Sequence, residues 1–273
     1  MKNFGLKPTK HDPRDYSYHK TFGAISTALA LPDEYFAGHP VVKNQYLSQF
    51  CTAFGAYAVA ACEDGVDFSP EWFFAQEKAL TGDPLDQPED LRTPCNTACQ
   101  KGFLPQAQAP FTLADKDPLF LADARNWPAS GLTAASIYKK KSYFHVEGDF
   151  DAVRRVLYEN SKFKRAILTG VLWYNDWTTA PNGIVPDFSI SPAGLHCIAI
   201  IGFTKKNGID YLVVQNSYGE EIGDHGLFYF DRATFNENFT EPMFMFVDYD
   251  GSEPAPMGNW LSILFFTLKK LFL

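Results

Sequence analysis

Apolar residues first take up a regular spacing just past residue 50, where CTAFGAYAVAAC runs from Cys51 to Cys62 without a proline. Alanine has the highest intrinsic helix propensity, so this run predicts a helix. A second helix is predicted from Ser69-Pro70-Glu71. Ser69 offers an N-cap oxygen, Pro70 suits the first helical position, and Trp72, Phe73 and Phe74 follow. A third is expected to open near Asp90 or Thr93 and to stop at Lys101-Gly102, where glycine tolerates the left-handed cap. DFDAVRRVLYE, with apolar positions 150, 153, 156 and 157, predicts one more helix over 149–159. Beyond it the texture changes. AILTGVLWY, HCIAIIGF, DYLVVQNS and GLFYF are short runs of branched and aromatic residues, and predict strands. Helices first and strands later predict an α+β protein with a helical lobe and a sheet or barrel lobe, divided near 130–142. The expected segments are an N-terminal arm over 1–43, a helical lobe over 44–140, a β lobe over 141–247, a linker over 248–259 and an apolar tail over 260–273.

Composition narrows the function classes. Hydrophobic residues make up 46% of the 273-residue chain and charged residues 21%, as in ordinary globular proteins, while 25 phenylalanines predict an aromatic-rich core or cleft. The net charge of −8 argues against non-specific nucleic-acid binding, which needs a positive field. The longest basic run, Lys139-Lys140-Lys141, reads as a solvated loop or strand edge. Five cysteines lack metal-type spacing, and Cys95 and Cys99, four apart on a helix, are poorly placed for a mutual disulfide. No apolar stretch of signal-peptide length stands near the start. The expectation is a reducing home, in the cytoplasm or the interior of a host cell. The tail carries Leu261, Leu264, Phe265, Leu268 and Phe272 on one helical stripe beside Lys269 and Lys270, but falls short of the ~20 residues that span a bilayer. It reads as a segment docked on its own protein or a partner, with peripheral attachment to a membrane surface as the alternative.

Cys51 stands where a helix should begin. Unpaired N–H groups and the helix dipole there favour an anion, and the thiolate is the nucleophilic form. Among six histidines, only His196 lies in a periodic strand-like run, and the following strand delivers Asn216, whose amide can orient an imidazole. Gln45, six positions before Cys51, can offer an N–H to an oxyanion beside the Cys51 backbone N–H. Each has a plainer reading: a packed cysteine, a satisfied core histidine, a turn asparagine. Their combination carries the functional one.

NQYLSQFCTAF resembles the Gln–(five residues)–Cys segment of papain-like cysteine peptidases, GLHCIAIIGF their histidine strand, and VVQNSYGEEIGDHGLFYF their Asn-Ser-Trp-Gly segment. SPEWFFAQEKALTG and APNGIV are softer matches, and Cys-Thr-Ala with the DPRDY arm looks most like bacterial and viral branches. The similarity covers about residues 30–247. It implies a two-lobed papain-like fold with Cys51 as nucleophile, His196 as acid and base, Asn216 orienting the imidazole and Gln45 completing an oxyanion hole. It also implies a thioester acyl-enzyme, a peptide or protein substrate, and no cofactor or metal. A papain-fold amidase, deamidase or acyltransferase on a non-protein or side-chain amide is the alternative, and a catalytically silent interaction module a further one.

The chain departs from the family pattern at several points. Ser48 stands where a disulfide cysteine is common, and Gln49 and Phe50 replace small residues and are expected to narrow the cleft. Tyr218 replaces the tryptophan that covers the His–Asn bond, so that an aromatic cover is expected to survive, and Ile222 replaces a second tryptophan. Cys197 should face the opposite side of its strand and pack. Trp173, Tyr174 and Trp177 are candidates for a cleft wall or for aromatic core. Only 44 residues precede Gln45, too few for a helical pro-domain, and the arm is expected to strap the lobes together rather than mask the cleft.

Overall fold

The computed structural model describes residues 5–13, 15–23, 29–187, 189–191 and 193–248. The tail and all of the linker except Asp248 lie outside the described residues. Eight α-helices are seen among the described residues: α1 (Tyr18–Phe22), α2 (Cys51–Asp64), α3 (Pro70–Thr81), α4 (Arg92–Gln100), α5 (Pro118–Ala122), α6 (Ser130–Ala135), α7 (Phe150–Glu159) and α8 (Arg232–Asn238). Seven strands among the same residues form one antiparallel sheet: β1 (Tyr35–Phe36), β2 (Ser142–Val146), β3 (Ile167–Tyr174), β4 (Ala193–Lys206), β5 (Ile209–Gln215), β6 (Leu227–Phe230) and β7 (Met243–Val247). Their order is β2-β7-β3-β4-β5-β6, with β1 added along β4.

The local signals act where the sequence has them. The Ser69 hydroxyl accepts from the Trp72 N–H at 3.2 Å and opens α3. The Asp90 carboxylate accepts from the N–H groups of Arg92 and Thr93, both at 3.0 Å, and opens α4. Asp149 caps α7 in the same way. Helix α2 is buried on every side from Cys51 to Cys62, which its alanines permit. At Gly55 a Cβ would lie 2.8 Å from both the Cys197 sulfur and Leu168 Cδ1, so only glycine lets the helix settle this closely on the sheet.

Two clusters of buried residues share the sheet. On one face Leu168, Cys197, Ala199, Val213, Phe244 and Phe246 meet α2, α3 and α4. On the other, Ile167, Trp173, Ile198, Val214 and Met245 pack with α7 and α8 residues. The helical half is therefore built directly on one face of the sheet.

Some elements carried no signal. Strands β2 and β7 pair with each other from Ser142↔Val247 to Val146↔Met243, and each has only five residues. Helices α1, α5, α6 and α8 are too short to show a period. Lys140 corrects an expectation: it is buried, and its Nζ lies 2.8 Å from both Glu63 Oε2 and Asp64 Oδ1, while Lys139 and Lys141 are exposed. Two carboxylates from the end of α2 need a cation there. All five cysteines are free thiols.

Candidate active site

Residues 44–50 form a tight connection that aims the start of α2. Asn44 pairs with Tyr218, and the Gln45 N–H donates to the Ser217 carbonyl at 2.8 Å. A turn follows, closed by the Ser48 N–H on the Gln45 carbonyl at 3.0 Å, with Tyr46 at φ 51 in the left-handed region. Phe50 then turns inward and its ring stacks on Phe74 of α3 at 4.0 Å between centroids. It therefore belongs to the core and does not narrow a cleft, because a phenyl ring next to α3 gains more from burial than from solvent. Cys51 follows as the first residue of α2, and no side chain caps the helix. The positive end of the helix is thus left facing the sulfur.

The Cys51 side chain is wholly buried. Backbone N–H groups of Cys197, Gly5 and Thr52 face its sulfur, yet burial outweighs them and, with the nearby Glu77 carboxyl adding to it, pushes the thiol up to about 12. Glu77 is itself buried and receives the Thr52 hydroxyl at 2.7 Å.

His196 lies on β4 opposite Val171, on the sheet face away from the Cys197 side chain, which packs on α2 at Gly55. Its Nε2 is 2.8 Å from Asn216 Oδ1. The same Asn216 oxygen accepts the Ser217 N–H at 2.6 Å, which identifies it as the acceptor, so His196 Nε2 donates. The neutral ring consequently has its basic nitrogen at Nδ1. Tyr218 stacks on the imidazole at 4.8 Å and 16°, and Trp173 meets it edge-on at 5.7 Å. Two aromatic walls and one amide fix the ring. The Cys197 N–H faces the Cys51 sulfur, so this stretch of the β4 backbone lies against the start of α2.

Gln45 is buried as well. Its Oε1 accepts the Ser217 hydroxyl at 2.5 Å, and its Nε2 donates to the Ser48 carbonyl at 3.0 Å. One amide hydrogen is committed to Ser48, and the second remains for another acceptor. The four residues singled out from the sequence thus converge around the start of α2 and the ends of β4 and β5. Trp173 and Trp177 prove to be core, in edge contact with each other at 5.4 Å. Ile222 packs against the same cluster.

The sequence marked an arm over 1–43 but not the contacts that Gly5 and Leu6 make. Gly5 lies flush on the Gln49 backbone, where a Cβ would come within 2.7 Å of Gln49 Cα. Leu6 is 6% exposed and fills the space over Gly170, where a Cβ would meet Leu6 Cδ2 at 2.4 Å. Leu6 pairs in parallel with Glu89, and the Lys7 N–H donates to the Glu89 carbonyl at 2.9 Å. A single leucine between Gly5 and Lys7-Pro8 has no period, so nothing local announces this contact.

Comparison with known proteins agrees with this architecture. The family described as "Papain family cysteine protease" matches residues 95–245, a span that contains His196 and Asn216 and begins after Cys51. Cathepsin B-like cysteine proteinase 1 of Ostertagia ostertagi is 23% identical over 229 residues, covering 81% of this chain and 63% of that protein. Cathepsin B-like cysteine proteinase 3 of Caenorhabditis elegans is 23% identical over 202 residues, covering 71% of this chain and 49% of its own length. The chain therefore spans less than two thirds of these relatives. Among solved structures, xylellain, a cysteine protease from Xylella fastidiosa, superposes with a TM-score of 0.74 at 19% identity, over 89% of this chain and 96% of xylellain. ProCathepsin B S9 from Trypanosoma congolense gives 0.62 at 13% identity, over 88% and 81%. With more than half of its length matched by the family, and with this α+β fold, the chain belongs to the papain family of cysteine proteases.

Proposed function

We propose that this protein is a cysteine peptidase that hydrolyses peptide bonds of peptide or protein substrates through Cys51, His196, Asn216 and Gln45. The observation that carries this reading is the His196–Asn216 hydrogen bond, which leaves Nδ1 as the proton-accepting nitrogen of the ring. Cys51 gives its proton to His196 Nδ1, and the sulfur attacks the substrate carbonyl carbon. The developing oxyanion takes hydrogen bonds from the Cys51 N–H and the uncommitted Gln45 amide hydrogen. The imidazolium then protonates the departing amine, leaving a thioester on Cys51. Water, deprotonated by the same nitrogen, attacks the thioester, and the acid leaves with the thiol restored. Asn216 keeps the tautomer fixed throughout.

The test is peptide and casein hydrolysis by wild type, Cys51→Ala and His196→Ala, each checked for folding by circular dichroism. Hydrolysis abolished in both variants is expected. Turnover retained by either folded variant would end the proposal. Release of ammonia from glutamine side chains, with intact peptide bonds, would point to side-chain amide chemistry instead.

A further inference from the structure

Directly after Gln45 stands an aromatic residue that the core does not use. Tyr46 holds φ 51, a left-handed conformation that is costly for a bulky residue, and it is 51% exposed, so burial offsets only part of that cost. It lines a cavity of about 310 Å³ between its own turn, the start of α3 and residues 112–114. We propose that this cavity receives a lysine or arginine side chain of the substrate, on the leaving-group side of the cleaved bond, with Glu71 and Tyr46 as the residues that select it. The proposal rests on the peptidase reading given above and names its substrate class.

The preference for a cation follows from which charges are already matched. Lys43 is the one cation among the described residues that line the cavity. Its Nζ lies 2.8 Å from Asp67 Oδ1 and donates to the Phe68 carbonyl and to Gln106 Oε1, both at 2.6 Å. All three of its N–H groups are engaged, and Asp67 balances its charge. Glu71 is different. It is 5% exposed, and its two oxygens accept from neutral donors, the Ser69 hydroxyl and the Leu113 N–H, each at 3.2 Å. Its place in the first turn of α3 suits an acid, but a helix end supplies only about half a charge. A carboxylate buried beside a cavity with neutral partners favours a cation that enters. Tyr46 offers that cation an aromatic face, and Leu113 and Ala114 an apolar wall for its methylene stem.

The side of the cleaved bond follows from the proposed mechanism. His196 protonates the departing amine, so the leaving group lies on the side of the imidazole. Tyr218 stacks on that ring and pairs with Asn44, which lines the cavity. Tyr46 adjoins Gln45, and an extended substrate advances about 3.3–3.6 Å per residue, so the cavity is reached within about three residues after the cleaved bond.

The experiment measures kcat/KM of the full chain on fluorogenic peptides with alanine at the first three positions after the cleaved bond, or with arginine or glutamate at one of them. Arginine at one position is expected to raise kcat/KM about tenfold over alanine, and glutamate to lower it. In Glu71→Gln the arginine advantage should fall to about twofold or less. Tyr46→Gly should lose most of it too, while gaining stability in urea unfolding, because glycine adopts φ 51 without strain. Equal rates on the three peptides in wild type would overturn the proposal. So would an arginine advantage that both folded variants keep. Where Glu71→Gln does not fold, Tyr46→Gly decides. If wild type cleaves none of the peptides, the peptidase reading has failed, and fluorescence anisotropy with labelled arginine and alanine peptides tests the cavity by itself. Tighter binding of the arginine peptide, lost in the variants, would uphold the cation site, and equal binding would overturn it.

Discussion

At His196 the informative contact is on the ring nitrogen away from the reaction. Asn216 Oδ1 accepts from both Nε2 and the Ser217 N–H, so it cannot flip without losing a bond on each side. Asn216→Ala should keep the fold but free the imidazole to rotate and to change tautomer. The expected loss in kcat/KM is about 100-fold, within the range that positioned acid–base catalysis contributes. An unchanged value in a folded variant would remove Asn216 from the mechanism. These residues were legible because each lies in a local motif. The state of the thiol was not. A helix start lowers a thiol pKa, but burial under the arm, with Glu77 nearby, drives it the other way in the closed chain.

Among the elements, α2 carries both Cys51, the proposed nucleophile, and, at its far end, an ionic knot. Lys140 lies between Glu63 and Asp64, and burial raises both carboxyls despite the opposing pull of its ammonium. Lys140→Met would leave Asp64 without its hydrogen-bonded cation and Glu63 with only Arg165, whose Nε is 3.6 Å away, at a cost of about 3 kcal/mol. The sign with pH follows from the direction of the shift. A carboxyl whose folded pKa is raised favours folding only while it is protonated, and that contribution is lost as pH rises through the folded value. Without the lysine the acids rise further, so the variant should lose more stability near pH 8 than near pH 5 in urea unfolding. Equal losses at both pH values would show that Lys140 does not carry the pair. The sequence had marked Lys139 to Lys141 as solvated, because a basic run looks the same whether or not one member turns inward.

At the scale of the whole molecule, the arm joins elements far apart in sequence: Gly5 with Gln49, Lys7 with Asp83 and Glu89, Thr9 with Glu241. The hydrogen bond from Lys7 holds the Asp83 carboxyl below its ordinary range. A lowered carboxyl pKa stabilises the paired state above the group's ordinary value, and this is lost as pH falls through the shifted one. The arm should therefore loosen below about pH 4, where carboxylates lose their charge. Hydrogen exchange at the Lys7 amide, corrected for its intrinsic rate, checks this: protection should drop between pH 5.5 and 3.5. Constant protection across that interval would exclude the ion pair as part of the grip.

The sequence by itself determined the main helices, four strands, the helix-then-strand division and the four candidate site residues. Each depends on local spacing, capping or a short motif: Ser69 before Pro70, alanines from Cys51 onward, His196 in its apolar strand. Tertiary structure decided which face Phe50 takes, how Lys140 is neutralised, that β2 and β7 pair, and where Gly5 and Leu6 pack. Those outcomes depend on partners dozens to hundreds of residues away, and their energy comes from burial and charge pairing that no local window contains.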